Sequence, residues 1–227
     1  MPADTRLHPS LSYCCHSGTL VFLDAARDRY FCLKDDQAGL FREIARTQAG
    51  ESLPPKVSAF RDELILSGIF TKAQGAGNVI APCAHPAPTA SVFDATTRPR
   101  ATLRDTARFL SAWAACAPFQ RNRKIQSLLD TARQWRAPLP PCESPDEACR
   151  LAGTFHALAP YFITLHDACL FRSYLLIRYL ASAGVAADWI FGIRLSPFAA
   201  HCWVEQDGHV LNEHLDTVQE FQPILCA

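Results

Sequence analysis

Residues 164–213 read TLHDACLFRSYLLIRYLASAGVAADWIFGIRLSPFAAHCWVEQDGHVLNE. Leu170, Tyr174, Ile177 and Ala181 recur at threes and fours, which predicts a helix from about Cys169, with Asp167 as N-cap and Gly184 as its stop. Residues 188–194 predict a strand, and Asp207-Gly208 is a tight-turn signal that folds 210–213 back antiparallel beside 200–205. Alternation then puts His201, Trp203 and Glu205 on one face of that strand and Cys202 and Val204 on the other.

Cys169 therefore falls in the first turn of a helix, where unpaired N–H groups and the helix dipole favour a thiolate over a thiol. A lone cysteine there is more often a small buried apolar side chain. Its partners downstream change that reading, because the hairpin brings Glu213 near His201. A thiol nucleophile, an imidazole that takes its proton and a carboxylate that orients the imidazole form one working arrangement on any fold. Asp207 and Asp216 are the other acids within reach, although Asp207 suits a turn residue, with Gly208 supplying the positive φ. His166 is expected to be exposed or locally bonded, Trp203 to shield the site, and the Cys169 N–H is the first candidate for an oxyanion donor.

The order Cys, His, acid, with the cysteine on a helix start and the others on strands, resembles the papain-like and transglutaminase-like cysteine hydrolases. The wording C-L-x-R-S, then G-V-A-A-D-W-I-F-G-I-R, then P-F-x-A-H-x-W-V-E-x-D-G-x-V-L-N, is more specific. Across 167–212 it resembles the leader peptidases of lasso-peptide biosynthesis, the B-proteins. That resemblance implies Cys169 as nucleophile and His201 as general base. The family's third residue is an aspartate after L-N; here it is Glu213, one methylene longer, which must fold back to reach the ring. It further implies a lasso precursor peptide as substrate, bound through its leader, and an asparagine-synthetase-like lasso cyclase as partner. No phosphate-binding loop occurs in this chain, so ATP use belongs to that partner and no cofactor is expected. A transglutaminase-like acyl transferase and a non-catalytic peptide-binding adaptor are the competing readings.

Upstream, residues 11–33 read as two or three short strands, with apolar runs at 18–24 and 29–33. A helix capped by Asp35 or Asp36 carries Leu40, Phe41 and Ile44 and ends near Gly50. A second follows Pro54-Pro55, carries Val57, Phe60, Leu64 and Ile65, and closes at Gly68, after which Ile69 and Phe70 return as a short strand. The pattern G-x-x-V-x-L-D-x-x-x-x-x-Y-F-x-L before an apolar helix resembles the PqqD-like RiPP recognition element, a small winged-helix-like domain. In that family a leader peptide lies as an added strand beside the last hairpin strand and final helix. The resemblance implies a peptide groove between Arg29, Tyr30, Phe31, Cys32, Leu33 and a helix face with Val57, Phe60 and Leu64. An exposed strand edge suits such a task, since its main chain can bond an extended peptide. Alternation makes one of Tyr30 and Phe31 hairpin core.

Lys plus Arg and Asp plus Glu both number 22, which gives no electrostatic case for nucleic acid or an anionic membrane. Uncharged stretches fall short of a membrane span, and the N-terminus lacks a secretory signal pattern, so the chain is expected to be cytoplasmic. Its ten cysteines include no C-x-x-C pair. Neither Cys83 with His85 nor Cys14, Cys15 and His16 has zinc-site spacing, and no metal is expected.

The stretch 74–100 is rich in Ala, Pro, Thr and Gly and reads as a linker. It separates a peptide-binding domain at 1–73 from a catalytic domain at 101–227. In the latter, helices are expected at 101–117 through Leu103, Ala107, Leu110 and Trp113, and at 121–136 through Ile125, Leu128, Leu129 and Ala132. Arg121, Arg123 and Lys124 form a solvated basic face there. A third helix, with Ser144 and Glu147 as a capping box, runs to about Leu158. The expected class is α+β, a winged-helix-like PqqD-like domain followed by a transglutaminase-like cysteine peptidase domain.

Overall fold

The computed structural model describes residues 5–47, 51–72, 77–95, 99–120, 123–139, 145–163 and 168–227. Gly50, Arg121, Ser144, His166 and Asp167, read above as a helix end, a basic-cluster member, a cap, an exposed imidazole and a cap, lie outside them. The chain divides into two units, Met1–Ala84 and His85–Ala227.

In the first unit, β1 (Thr5–Leu7) precedes a meander of β2 (Leu11–His16), β3 (Thr19–Asp24) and β4 (Arg29–Cys32), in the order β2-β3-β4. Two helices follow, α1 (Asp35–Arg46) and α2 (Pro55–Leu66), and β5 (Phe70–Lys72) pairs antiparallel with β1. Lys34, not an aspartate, is the α1 N-cap; Asp35 and Asp36 sit inside the first turn, where the helix dipole favours acids. So few strands are not stable alone, and the helices cover one face. Phe22 stacks on Tyr13 and Phe31 at 5.2 and 5.1 Å and meets Phe41 edge-on. Ala38, Phe41 and Ile44 from α1 and Val57, Phe60 and Leu64 from α2 close this core.

The second unit holds β6 (Ala90–Ser91), α3 (Leu103–Ala115), α4 (Ile125–Arg136), α5 (Pro145–Leu158), α6 (Ala168–Ser182), β7 (Asp188–Leu195), β8 (Phe198–Gln206), β9 (His209–Val210), α7 (Leu215–Gln219) and β10 (Gln222–Cys226). The sheet order is β10-β7-β8-β9-β6. The stretch read as a linker thus carries structure: Asn78 bridges Leu7 in the first unit, and β6 pairs in parallel with β9 in the second. Helix α6 packs against α3, α4, α5 and β8. Leu175, Leu176, Tyr179 and Leu180 are all fully buried, and burying each such leucine stabilises by about 1.5–3 kcal/mol. Gly184, at φ +85°, stops this helix as expected.

Helix α3 forms, but it buries a different face from the expected one. Leu103, Ala107, Leu110 and Trp113 are exposed, Leu103 at 92 %, while Asp105, Phe109 and Ala112 point inward. Asp105 explains the rotation. Its carboxylate accepts from the Thr102 N–H and hydroxyl in a capping box and lies 3.5 Å from Arg150 of α5. Residues four and seven on then face the same neighbour.

Close approach also sets the sheet beneath the candidate site. A Cβ at Gly192 would lie 2.7 and 2.8 Å from Trp203 ring carbons and 2.9 Å from the Phe221 Cβ. Gly192→Ala is expected to destabilise by about 1–3 kcal/mol through overpacking, a fall in Tm of several degrees for a domain of this size. Calorimetry checks this, and an unchanged Tm would mean that the indole has room to move.

Candidate active site

Cys169 occupies the first turn of α6, and His201 and Cys202 are successive residues of β8. Helix α6 lies on β8 and is tied to it where the Ser173 hydroxyl donates to the Cys202 carbonyl at 3.3 Å. This brings Cys169 close enough to His201 and Cys202 for those two residues to dominate its titration. The His201 ring lies parallel to Trp203, with centroids 6.2 Å apart, and Phe221 flanks it at 5.3 Å.

Glu213 reaches His201, but not along a continuous strand. Asp207 and Gly208 make the expected turn with φ of 47° and 75°, yet β9 stops at Val210, not at residue 213. The Leu211 N–H still donates to Val204 O, whereas the Val204 N–H goes to the Asn212 side chain at 2.9 Å and Leu211 O accepts from His156 Nε2 at 2.8 Å. With its ladder bonds taken by side chains, the chain peels away. Glu213 then brings Oε2 within 3.1 Å of His201 Nε2. Asp207 stays in its turn, and Asp216 is exposed in the first turn of α7.

Electrostatics favour a charge-separated pair. Hydrogen bonds from Cys202 and then from His201 outweigh burial and lower the Cys169 thiol to about 4. Burial opposes charge on His201, but its bonds to Cys169 and Glu213 prevail and raise it to about 9. Burial likewise pushes the Glu213 carboxyl upward and is overcome by His201, the His214 N–H and Arg172, so that Glu213 ends below its ordinary value. Thiolate, imidazolium and carboxylate form one line of alternating charge.

Several supports are absent from the sequence reading. Arg172, one turn after Cys169, donates to Asn212 O and lies 3.3 Å from Glu213 Oε2. The buried Asn212 amide donates to Ser173 Oγ at 2.9 Å, and Ser91 Oγ donates to Glu213 O at 2.7 Å. The spacing of Arg172, three residues past Cys169, was the available signal, since it puts both on one helix face. Nothing in the pattern could show that Asn212 and Ser173 would meet. Glu205 shares the expected face but is buried, bonded to the Trp203 indole and 2.7 Å from His85 Nε2.

Of the residues expected to bind peptide, Arg29, Tyr30, Phe31 and Cys32 form β4, the outer strand of its sheet, and Leu33 follows it. Phe31 is the core partner of the pair, stacked on Phe22. Val57, Phe60 and Leu64 do not line a groove. They are 3–6 % exposed and packed in the core, because the helical spacing that suggested a docking face is the one that buries a helix. A cavity of about 770 Å³ lined by Ser91, Phe93, Cys149, Arg150, His156 and His209 shares no residue with the Cys169, His201 and Glu213 group. Among the described residues no cluster of three His, Cys, Asp or Glu side chains could hold a metal ion, and no helix is long and apolar enough to cross a membrane.

A family model described as the transglutaminase-like superfamily matches residues 113–226, which is 114 of 227 residues. The chain is also 44 % identical over 45 residues to the microcin J25-processing protein McjB of Escherichia coli, a match covering 20 % of this chain and 22 % of that protein. The chain thus spans about a fifth of the length of that relative. No solved structure matches.

Proposed function

The chain belongs to the transglutaminase-like superfamily, and from that premise we propose that it is a cysteine peptidase that cuts the leader from the core of a lasso-peptide precursor. The observation that carries this reading is the grouping of Cys169, His201 and Glu213: Glu213 holds the His201 ring at 3.1 Å, and His201 in turn lowers the Cys169 thiol. The Cys169 thiolate attacks the scissile carbonyl, and the His201 imidazolium passes its proton to the leaving amine. His201 then takes a proton from water, which attacks the thioester and frees the new carboxyl end and the enzyme thiol. The partial likeness to a microcin-processing protein supports a precursor peptide as substrate.

The first unit serves as the leader-binding module, with the fold and role of a PqqD-like recognition element. As the outer strand of its sheet, β4 can accept an extended peptide through main-chain bonds. Arg29 stands over the Phe31 ring at 5.4 Å beside that edge. Holding the leader near the catalytic unit raises the local concentration of the cleavage site. The lasso cyclase is the downstream partner.

Mass spectrometry of a lasso precursor incubated with this protein tests the proposal: free leader and free core are expected, and a cross-linked or cyclised product instead would make the enzyme an acyl transferase. The rate has a predictable pH dependence. It rises as Cys169 loses its proton through about pH 4 and falls as His201 loses its own through about pH 9, because the leaving amine then has no donor. A rate that starts to rise only near pH 8, where an ordinary thiol ionises, would remove the ion pair from the mechanism.

A further inference from the structure

Glu205 puts a carboxylate where the fold alone would take an apolar side chain. It is 2 % exposed on β8, and burying such a group is costly unless its oxygens are bonded. One oxygen accepts from the Trp203 indole N–H, and the other lies 2.7 Å from Nε2 of His85, itself largely buried. Enclosing an indole in this sheet does not demand a carboxylate. Trp189, equally buried on β7, has an N–H that meets no oxygen among the described residues. What sets Trp203 apart is its neighbour. Its ring lies within 24° of parallel to His201 at 6.2 Å, inside the range where aromatic rings interact. Its far corner rests over Gly192, the residue paired with His201 across the ladder, where a Cβ would lie 2.7 Å from Cη2. The indole is thus held at both ends, by Glu205 at its nitrogen and by the Gly192 backbone at its benzo edge.

We propose that Glu205, held by His85, is a positioning residue for the general base: it fixes the Trp203 indole, and the indole sets the tilt of the His201 ring. The inference rests on the peptidase reading of Cys169 and His201. Glu213 bonds that ring at Nε2, which anchors one edge and leaves rotation about the bond. A flat, fixed ring alongside removes that freedom. Glu205 touches no reacting atom and works only through Trp203.

The test is steady-state cleavage of a lasso precursor by the full chain, at temperatures well below each variant's unfolding midpoint so that lost stability is not read as lost rate. Glu205→Met, which keeps the length but offers no acceptor, should lower kcat about tenfold with KM unchanged, because a displaced base slows chemistry without weakening substrate binding. Glu205→Gln, which keeps an oxygen for the indole and a donor for His85, should restore most of that loss. His85→Ala, which leaves β8 intact and so still reports if the methionine variant does not fold, should lower kcat by about threefold. Because Glu205 acts through the indole, adding Glu205→Met to Trp203→Phe should cost nothing further. A parent-like kcat in Glu205→Met or His85→Ala overturns the proposal. So does a glutamine variant as slow as methionine, or a double variant in which the two losses multiply. A parent that leaves the precursor whole would overturn the peptidase reading and this proposal with it.

Discussion

Cys169→Ala is expected to leave no measurable cleavage of a lasso precursor, a loss of at least about 10⁴-fold, while binding of the leader is unchanged. Without the sulfur no thioester can form. The neighbouring Cys202 cannot substitute, being buried and held protonated. Cys169→Ser should be nearly as inactive, since a hydroxyl does not ionise in the range where His201 is charged, and that separates the need for a thiolate from a need for shape. The fold should survive, because Cys169 sits at a helix start and alanine is a good helix former. Leader binding should survive because β4 belongs to the other compact unit. The measurements are cleavage by mass spectrometry and leader affinity by fluorescence anisotropy. Unchanged precursor processing by the alanine variant would leave only a peptide-binding adaptor.

Legibility followed how local the determining interaction is. Helix α6, strand β7 and the Asp207-Gly208 turn rest on periodicity and turn chemistry within a few residues, and all three stand in the structure. A helix laid on the next hairpin has few alternatives, and Cys169 and His201 come near enough to shift each other's titration. The α3 face was misread because an alanine-rich helix offers two apolar stripes. A distant arginine, Arg150, decides between them by drawing Asp105 inward. Val57, Phe60 and Leu64 satisfy the spacing of both a docking face and a core face, and only burial tells these apart. The early end of β9 depends on the side chains of Asn212 and His156 taking ladder bonds from Val204 and Leu211, a substitution that alternation cannot foresee. Cys202 was placed on the strand face opposite His201, where it indeed packs beneath Ser173.

Replacing Glu213 by Gln should lower the cleavage rate by about 10²–10³-fold with leader binding intact. A serine triad that loses its acid typically suffers about 10⁴-fold. The effect here is smaller because the Cys169 thiolate also stabilises the imidazolium. Glutamine still offers an oxygen at the position 3.1 Å from His201 Nε2, so the ring stays oriented, but the negative charge is gone. Burial then weighs more heavily against a protonated His201, and Arg172, 3.3 Å from the same oxygen, adds an unopposed positive charge nearby. Both effects act in one direction. The folded pKa of His201 falls from about 9 toward its ordinary value, so the alkaline limb of the rate profile shifts to lower pH. Glu213→Asp removes charge from neither partner and only shortens the reach; it should retain more activity than glutamine and keep the alkaline limb high. Asp207→Asn and Asp216→Asn, in a turn and on an exposed helix start, should behave like the parent. A near-normal Glu213→Gln enzyme alongside a crippled Asp216→Asn enzyme would transfer the orienting role to the acid of α7, and near-normal rates in all three would mean that sulfur and imidazole suffice without a carboxylate.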